Sequence, residues 1–201
     1  MKFLRYVPDS KRLMIRQIIQ ALHKILYSFF GVLAVLNYTT RKLLFGTSNA
    51  LNYLSRVHDL GCVLILRLNG AKIGSNCNIQ SGIILHNCKN FKNLKIGDNC
   101  HIGKNCFFDL RDSVTIEDNV VISMFCRFVT HIDMTNSALN DEFPATTAPI
   151  RVGANSYLGI GSTVLMGVKI GSNVLVGASS LVNNNLADNC RVAGIPCGPI
   201  S

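Results

Sequence analysis

The chain has 201 residues, 48% of them hydrophobic, which is enough for one folded domain with an appendage. Its net charge of +9 suggests a nucleic-acid binder until the charge is located. Residues 1–58 hold nine Lys/Arg against Asp9 alone, a net of +8, whereas residues 59–201 hold eleven against ten acids, a net of +1. The basic character therefore belongs to the N-terminal segment. The remainder has neither a basic aromatic face nor a nucleic-acid motif, so nucleic acid is not an expected partner.

In chain order, residues 1–58 read as a basic amphipathic helical segment. Leu13, Ile15, Ile18, Ile19, Leu22, Ile25, Leu26 and Phe29 recur at steps of three and four, and Arg12, Arg16, Gln20, His23 and Lys24 fill the opposite side. From Ile25 to Leu36 the chain is almost wholly apolar. That stretch is too short to span a bilayer, Lys24 interrupts any longer window, and no small-residue cleavage site follows. Two readings stay open: a helix lying in the membrane interface, and a cap packed on the next domain or on a neighbouring subunit.

Residues 59–72 look like the lead into a first coil. From Ile73 to Val182 an aliphatic or aromatic residue returns every six positions: Ile73, Ile79, Ile96, Ile102, Phe108, Ile116, Ile122 and Phe128, then Val152, Leu158, Val164, Ile170, Val176 and Val182. A helix has a period of 3.6 and a strand a period of two, so neither fits. A fixed hexad is the mark of a parallel β-helix, in which each hexad makes one flat side of a triangular coil. Gly often follows the aliphatic residue and is expected to turn the corner there. The fold class is thus mainly β, a parallel β-helix over 59–201 behind an N-terminal helical segment. Residues 85–94 slip the register and read as a bulging loop. The largest break, at 131–149, is a protruding loop, and loops that long on a compact solenoid usually carry function.

The eight cysteines contain no C-x-x-C and form no ligand-like pairs with histidine, so no metal is expected. Cys77, Cys100, Cys106 and Cys126 each stand four residues after a repeat aliphatic, a position suited to a compact buried side chain. Thiols with no disulfide rationale favour a reducing, cytoplasmic setting, at the inner face of the membrane if the N-terminal segment touches lipid.

The chemistry centres on His131, at the root of the long loop, where rigid backbone meets open space. Imidazole is the natural general base for an alcohol near neutral pH. The chain from Ile73 to Pro196 resembles the hexapeptide-repeat acyltransferases, and within them the maltose/galactoside/polysaccharide O-acetyltransferase branch. The residues carrying the resemblance are Val129-Thr130-His131, Ala148-Pro149-Ile150-Arg151-Val152-Gly153, Tyr157-Leu158-Gly159-Ile160-Gly161, Val176-Gly177-Ala178-Ser179 and Val192-Ala193-Gly194-Ile195-Pro196. The resemblance implies a left-handed coil, acetyl-CoA as co-substrate, a saccharide acceptor, and a homotrimer with its sites between subunits. It places the base on His131 and an oxyanion-binding backbone N–H on Ile160. Pantetheine would run along Gly159, Gly177, Ala178 and Ser179, with the adenine end near Asn183, Asn184 and Pro196.

The family's tryptophan position is Tyr157 here. Its upstream asparagine falls on Gly103, with Asn105 two positions on as the acceptor-side candidate. A carboxylate should orient the imidazole or contact the acceptor. Asp133 is nearest in sequence and is taken for that role, Glu142 is the loop candidate for the acceptor, and Asp109 or Asp112 can reach from the previous coil. The expected function is acetyl transfer from acetyl-CoA to a hydroxyl of a surface polysaccharide, lipopolysaccharide or lipid-linked glycan. The alternatives are a sugar-amine N-acetyltransferase and a catalytically silent binding solenoid. Metal-dependent hydration on this fold would need three imidazoles on one metal, and His101 and His131 lack such a companion.

Overall fold

The computed structural model describes residues 9–57 and 59–200. His58 and the first eight residues, with their share of the basic charge, lie outside the described residues, as do the side chains of Arg12, His23 and Lys24 that the sequence put on a polar helix face. The six-residue period folds as it reads. Short strands stack in parallel into three sheets, the faces of a triangular prism, giving five complete coils and a sixth begun at Leu186.

On face A, Ile73, Ile96, Ile116, Val152 and Ile170 stand in one register. Face B aligns Ile79, Ile102, Ile122, Leu158, Val176 and Val192, and face C aligns Leu85, Phe108, Phe128, Val164 and Val182. These columns fill the axis of the prism, where Phe108 and Phe128 stack at 4.8 Å and only 4° apart. Cys100, Cys106 and Cys126 are buried at the expected small-residue position, while Cys77 in the first coil is half-covered. Burial pushes the Cys100 thiol up to about 11, which suits packing rather than reactivity.

The corner glycines act differently from the expectation. Gly74, Gly97, Gly153, Gly159 and Gly171 have no positive φ, but a Cβ on any of them would lie within 2.8 Å of backbone in the next coil. They permit close approach of stacked coils. The turning itself falls to asparagine. Between faces A and B, Asn76, Asn99, Asn119, Asn155, Asn173 and Asn189 all sit at φ 52 to 62°, a region Asn tolerates better than most residues. Their amides form a ladder up this edge, Asn76 to Asn99 and Asn99 to Asn119 at 3.2 Å and Asn173 to Asn189 at 3.1 Å.

Two helices close the bottom of the prism. The first, α1 (Asp9–Leu54), is kinked at Gly46, whose φ is 83°. The second, α2 (Asp59–Leu68), occupies the stretch expected as the lead into the first coil. Its sequence DLGCVLILRL alternates poorly for a strand and is buried on several sides, with Cys62, Val63, Ile65 and Leu66 in the core. Helix α1 lies across it through small residues: a Cβ on Gly61 would come within 2.9 Å of Ala34 Cβ, and one on Gly31 within 3.0 Å of Leu64. The loop at 87–93 also joins the cap, burying Phe91 against Tyr38 with ring centres 6.3 Å apart. The cap reading of the N-terminal segment therefore holds for its second half.

The stacked Phe108–Phe128 pair makes a stability prediction. Phe108→Ala should cost about 3–5 kcal/mol, because neighbours held by the coil above and below cannot collapse into the space. The cost would appear as a lower urea midpoint, and a loss under about 1 kcal/mol would mean that the column repacks.

Candidate active site

The three edges of the prism divide the chemistry. His131 and the long loop leave the edge between faces C and A, directly above the end of the face C strand Phe107–Asp109. Asp109 is fully buried there and accepts hydrogen bonds from the coils below and above and, at 3.4 Å, from the Arg111 N–H of its own coil. Asn87 Nδ2, one coil below, donates to its Oδ1 at 3.0 Å. Thr130, one coil above, donates its N–H at 2.9 Å and its hydroxyl at 2.7 Å to Oδ2. His131 Nδ1 completes the set at 2.5 Å from Oδ2. Burial alone would raise the Asp109 carboxyl, but the hydrogen bonds from His131, Thr130 and Asn87 outweigh it and hold it down to about 2. Asp109 is thus a carboxylate at neutral pH and an acceptor only, so the His131 proton sits on Nδ1. In that tautomer of the neutral ring Nε2 is the acceptor. Among the described residues Nε2 has no partner, and the ring remains about 20% exposed.

Asp133, the expected partner, does not reach the imidazole. An extended chain places residues i and i+2 several ångströms apart, and Asp133 instead takes Arg111 at 2.7 Å and the Thr135 hydroxyl at 2.6 Å. The Thr135 hydroxyl and Arg111 hold its carboxyl far below the ordinary range, which anchors the near leg of the loop. Asp112 pins the far leg, accepting from the Thr147 hydroxyl at 3.2 Å. Between the legs, His131–Ile132 pairs antiparallel with Thr146–Thr147, so the loop is a ribbon rooted at the histidine. Glu142 is exposed in that loop, at the end of a short 3-10 turn (Ala138–Asp141).

The second group of expected residues lies on the edge between faces B and C. The Ile160 N–H makes no hydrogen bond among the described residues, although its neighbours are tied on both sides: Gly161 N–H to Met124 O at 2.9 Å and Ser179 N–H to Ile160 O at 2.8 Å. A preset donor without an acceptor is what a developing oxyanion needs. Gly177, Ala178 and Ser179 stack above it, and the Gly194–Pro196 turn stands above those. Tyr157 projects from face B just before this edge and is 42% exposed. Asn105 lies two coils below Ile160 on the same edge with φ 58°, where it turns the corner over Gly82 and lies away from His131. Asn183 and Asn184 follow the face C strand Leu181–Val182, so they share the His131 edge, two coils higher.

The two groups of expected residues thus lie on different edges of the prism. From Ile160 to the next C–A corner is about five extended residues, roughly 16 Å. His131 and the Ile160 N–H of a single chain cannot serve one carbonyl carbon. Among the described residues no three His, Cys, Asp or Glu side chains converge on a point that would hold a metal.

The comparisons agree with this architecture. The hexapeptide-repeat family described as the hexapeptide repeat of succinyl-transferase matches residues 93–124, 149–184 and 167–194. Those stretches carry hexapeptide repeats, and the chain is similar to acetyltransferases. It is 33% identical to galactoside O-acetyltransferase of Escherichia coli (strain K12) over 107 residues, 50% of this chain and 53% of the relative. A maltose O-acetyltransferase from Clostridium difficile 630 superposes with a TM-score of 0.62 at 25% identity, over 70% of this chain and 74% of that one. The fold also matches a mutant of AntD, an N-acyltransferase from Bacillus cereus in complex with dTDP and coenzyme A, with a TM-score of 0.57 at 24% identity over 66% and 73% of the two chains. The chain spans about half the length of the curated relatives it matches.

The buried Asp109 makes a pH prediction. Its carboxyl lies below the ordinary value of 3.8 in the folded state, so it contributes stability above about pH 4 that is lost as the pH falls through about 2. The contribution is on the order of 2 kcal/mol. Urea midpoints of the native protein should fall more steeply between pH 6 and pH 3 than those of Asp109→Asn, and parallel slopes would show that Asp109 is not the group responsible.

Proposed function

We propose that the protein is an acetyl-CoA-dependent O-acetyltransferase acting on a saccharide hydroxyl. The observation that carries the reading is the His131–Asp109 pair, with one imidazole nitrogen fixed by a buried carboxylate and the other presented to solvent at a loop root. The acceptor hydroxyl gives its proton to His131 Nε2 as its oxygen attacks the thioester carbonyl carbon. Asp109 holds the ring and stabilises the imidazolium that forms. The carbonyl oxygen becomes an oxyanion that takes the free N–H of Ile160. When the carbon–sulfur bond breaks, the imidazolium proton passes to the thiolate of coenzyme A, and the histidine is neutral again.

The two groups, as half-sites, support a trimer in which the C–A edge of one subunit faces the B–C edge of the next. The thioester would lie in that seam, pantetheine against Gly177, Ala178 and Ser179 of one chain, and Asn183 and Asn184 of the other near the adenine end. Galactoside and maltose as the named substrates of relatives support a saccharide acceptor. A sugar amine is the second reading, favoured by the likeness to an N-acyltransferase, since the same base accepts a proton from an amine.

Thiol release from acetyl-CoA over a panel of saccharides and amino sugars tests this reading. His131→Ala and Asp109→Asn should each lower kcat by about a hundredfold or more, while Asp133→Asn stays within about threefold. Turnover only on amino sugars would move the activity to N-acetylation, and a lack of acetyl-CoA binding would leave a silent solenoid. A complementation experiment tests the seam. His131→Ala and Ala178→Trp lie on different edges, so co-refolding the two inactive chains should restore about one quarter of wild-type activity by random pairing of intact edges in a trimer. No recovery in mixed trimers would place both edges of a site within one chain.

A further inference from the structure

Helix α1 carries a long exposed apolar surface. Ile18, Leu22, Ile25, Phe29, Leu36 and Leu43 are each at least half exposed. Their spacing of four, three, four, seven and seven keeps them on one stripe, which runs for about 38 Å at 1.5 Å per residue. The opposite side of the same helix is where Gly31, Ala34 and Tyr38 pack into α2 and Phe91, so the stripe faces away from the protein. A contiguous apolar patch of this length on a folded chain marks a surface that something covers.

The charge beside it is of one sign. Between Ser10 and Val57 the sequence has Lys11, Arg12, Arg16, Lys24, Arg41, Lys42 and Arg56 and not one acidic residue. Two of these cations meet in a recess at the kink, where Arg41 and Arg56 line the wall with Asn49, Asn52 and Tyr53. Arg41 is held in place by Asn37 at 2.6 Å, by Asn49 at 3.0 Å and by the ring of Tyr53, 5.1 Å below it. No carboxylate lines the recess. Arg41 stands about 140° round the helix from the stripe, so this cationic recess is on the water side when the stripe faces lipid.

We infer that α1 docks the protein on the surface of an anionic lipid bilayer, lying in the interface with its stripe in the acyl boundary and the cations of this acid-free segment drawn to the negative surface. By length and composition this is the one helix among the described residues that would cross a membrane. Its packing argues for the in-plane arrangement. Residues from Gly31 to Leu54 are committed to the cap, and the part before it, Leu13 to Phe30, contains Arg16 and Lys24. Such a helix lies on a membrane and does not span it.

Co-sedimentation of the full chain with phosphatidylcholine vesicles, with and without phosphatidylglycerol, tests the inference. The full chain should bind the phosphatidylglycerol vesicles at least about tenfold more tightly than the neutral ones. Leu22→Glu with Phe29→Glu changes exposed positions only, and should abolish binding while circular dichroism and solution mass stay unchanged. Arg41→Gln with Arg56→Gln should bring affinity for the anionic vesicles towards that for neutral ones. Failure of the full chain to sediment with either vesicle, or wild-type binding by the glutamate variant, overturns the inference. A glutamate variant that changes solution mass overturns it too, because the stripe would then be a contact between subunits. No acyl transfer is read in this experiment, so its outcome is independent of the proposed activity.

Discussion

The constraint on which this molecule depends is the spacing between stacked coils. Every strand residue on the prism donates to or accepts from the coil below and above, about 4.8 Å away, and each column must then repeat its shape at that interval. Branched aliphatic and aromatic residues fill the axis because each covers the one beneath it. At the edges the same spacing leaves no room for a Cβ in many coils, hence the glycines at 74, 97, 153, 159 and 171. The chain must also turn sharply three times per coil, and at the edge between faces A and B asparagine supplies the left-handed residue while amides bond between coils at both ends of the stack. Packing and turning are thus separate demands on neighbouring positions of one hexad.

That spacing also builds the candidate site. Asp109 is buried because it stands under Thr130 and His131 and over Asn87, so three successive coils satisfy one carboxylate. A charge taken out of water without such partners would be costly. Here the partners are backbone and side chains held by the sheets, so the imidazole is fixed before any ligand arrives. The loop begins where the stack can no longer hold it, and Asp133 and Asp112 secure its two legs. On the proposed mechanism, what one chain lacks is a donor for the oxyanion beside the base. The unpaired N–H of Ile160 lies one full face away, and this separation is the physical ground for reading the active unit as more than one chain.

Much of this was legible in the sequence. The hexads from Ile73 to Val182 predict each aligned column, and His131 stands out as the histidine where they stop. The carboxylate partner was misjudged because distance along the chain was weighed above distance across coils. One coil separates Phe108 from Phe128, so Asp109 lies directly beneath Val129, next to Thr130 and His131. Counting by coils identifies it, whereas nearness in sequence points to Asp133. The corner glycines invited a similar error, since a glycine at a turn suggests positive φ when the need here is close approach. Helix α2 was missed because a short apolar run looks the same for a buried strand and a buried helix. The burial of Phe91 was hidden by its polar neighbours, because the surface that covers it comes from α1, fifty residues earlier.

The N-terminal helix illustrates how one element can answer two demands. A β-helix ends in an open coil whose backbone groups and apolar axis would be exposed, and edges of that kind invite association. Covering the end needs a surface of small and aromatic residues, supplied by Gly31, Ala34 and Tyr38 with α2 beneath them. A helix that served only as a cap would be polar on its outer side. This one is apolar there along most of its length, which costs solubility and gives nothing to the fold. The outer face must therefore answer to something beyond the chain, and the inner face holds it rigidly to the coils that position His131. If the outer face lies on a membrane, the distance and tilt of the candidate site from that surface are set by the cap, and an acceptor carried on lipid would be presented at a fixed height.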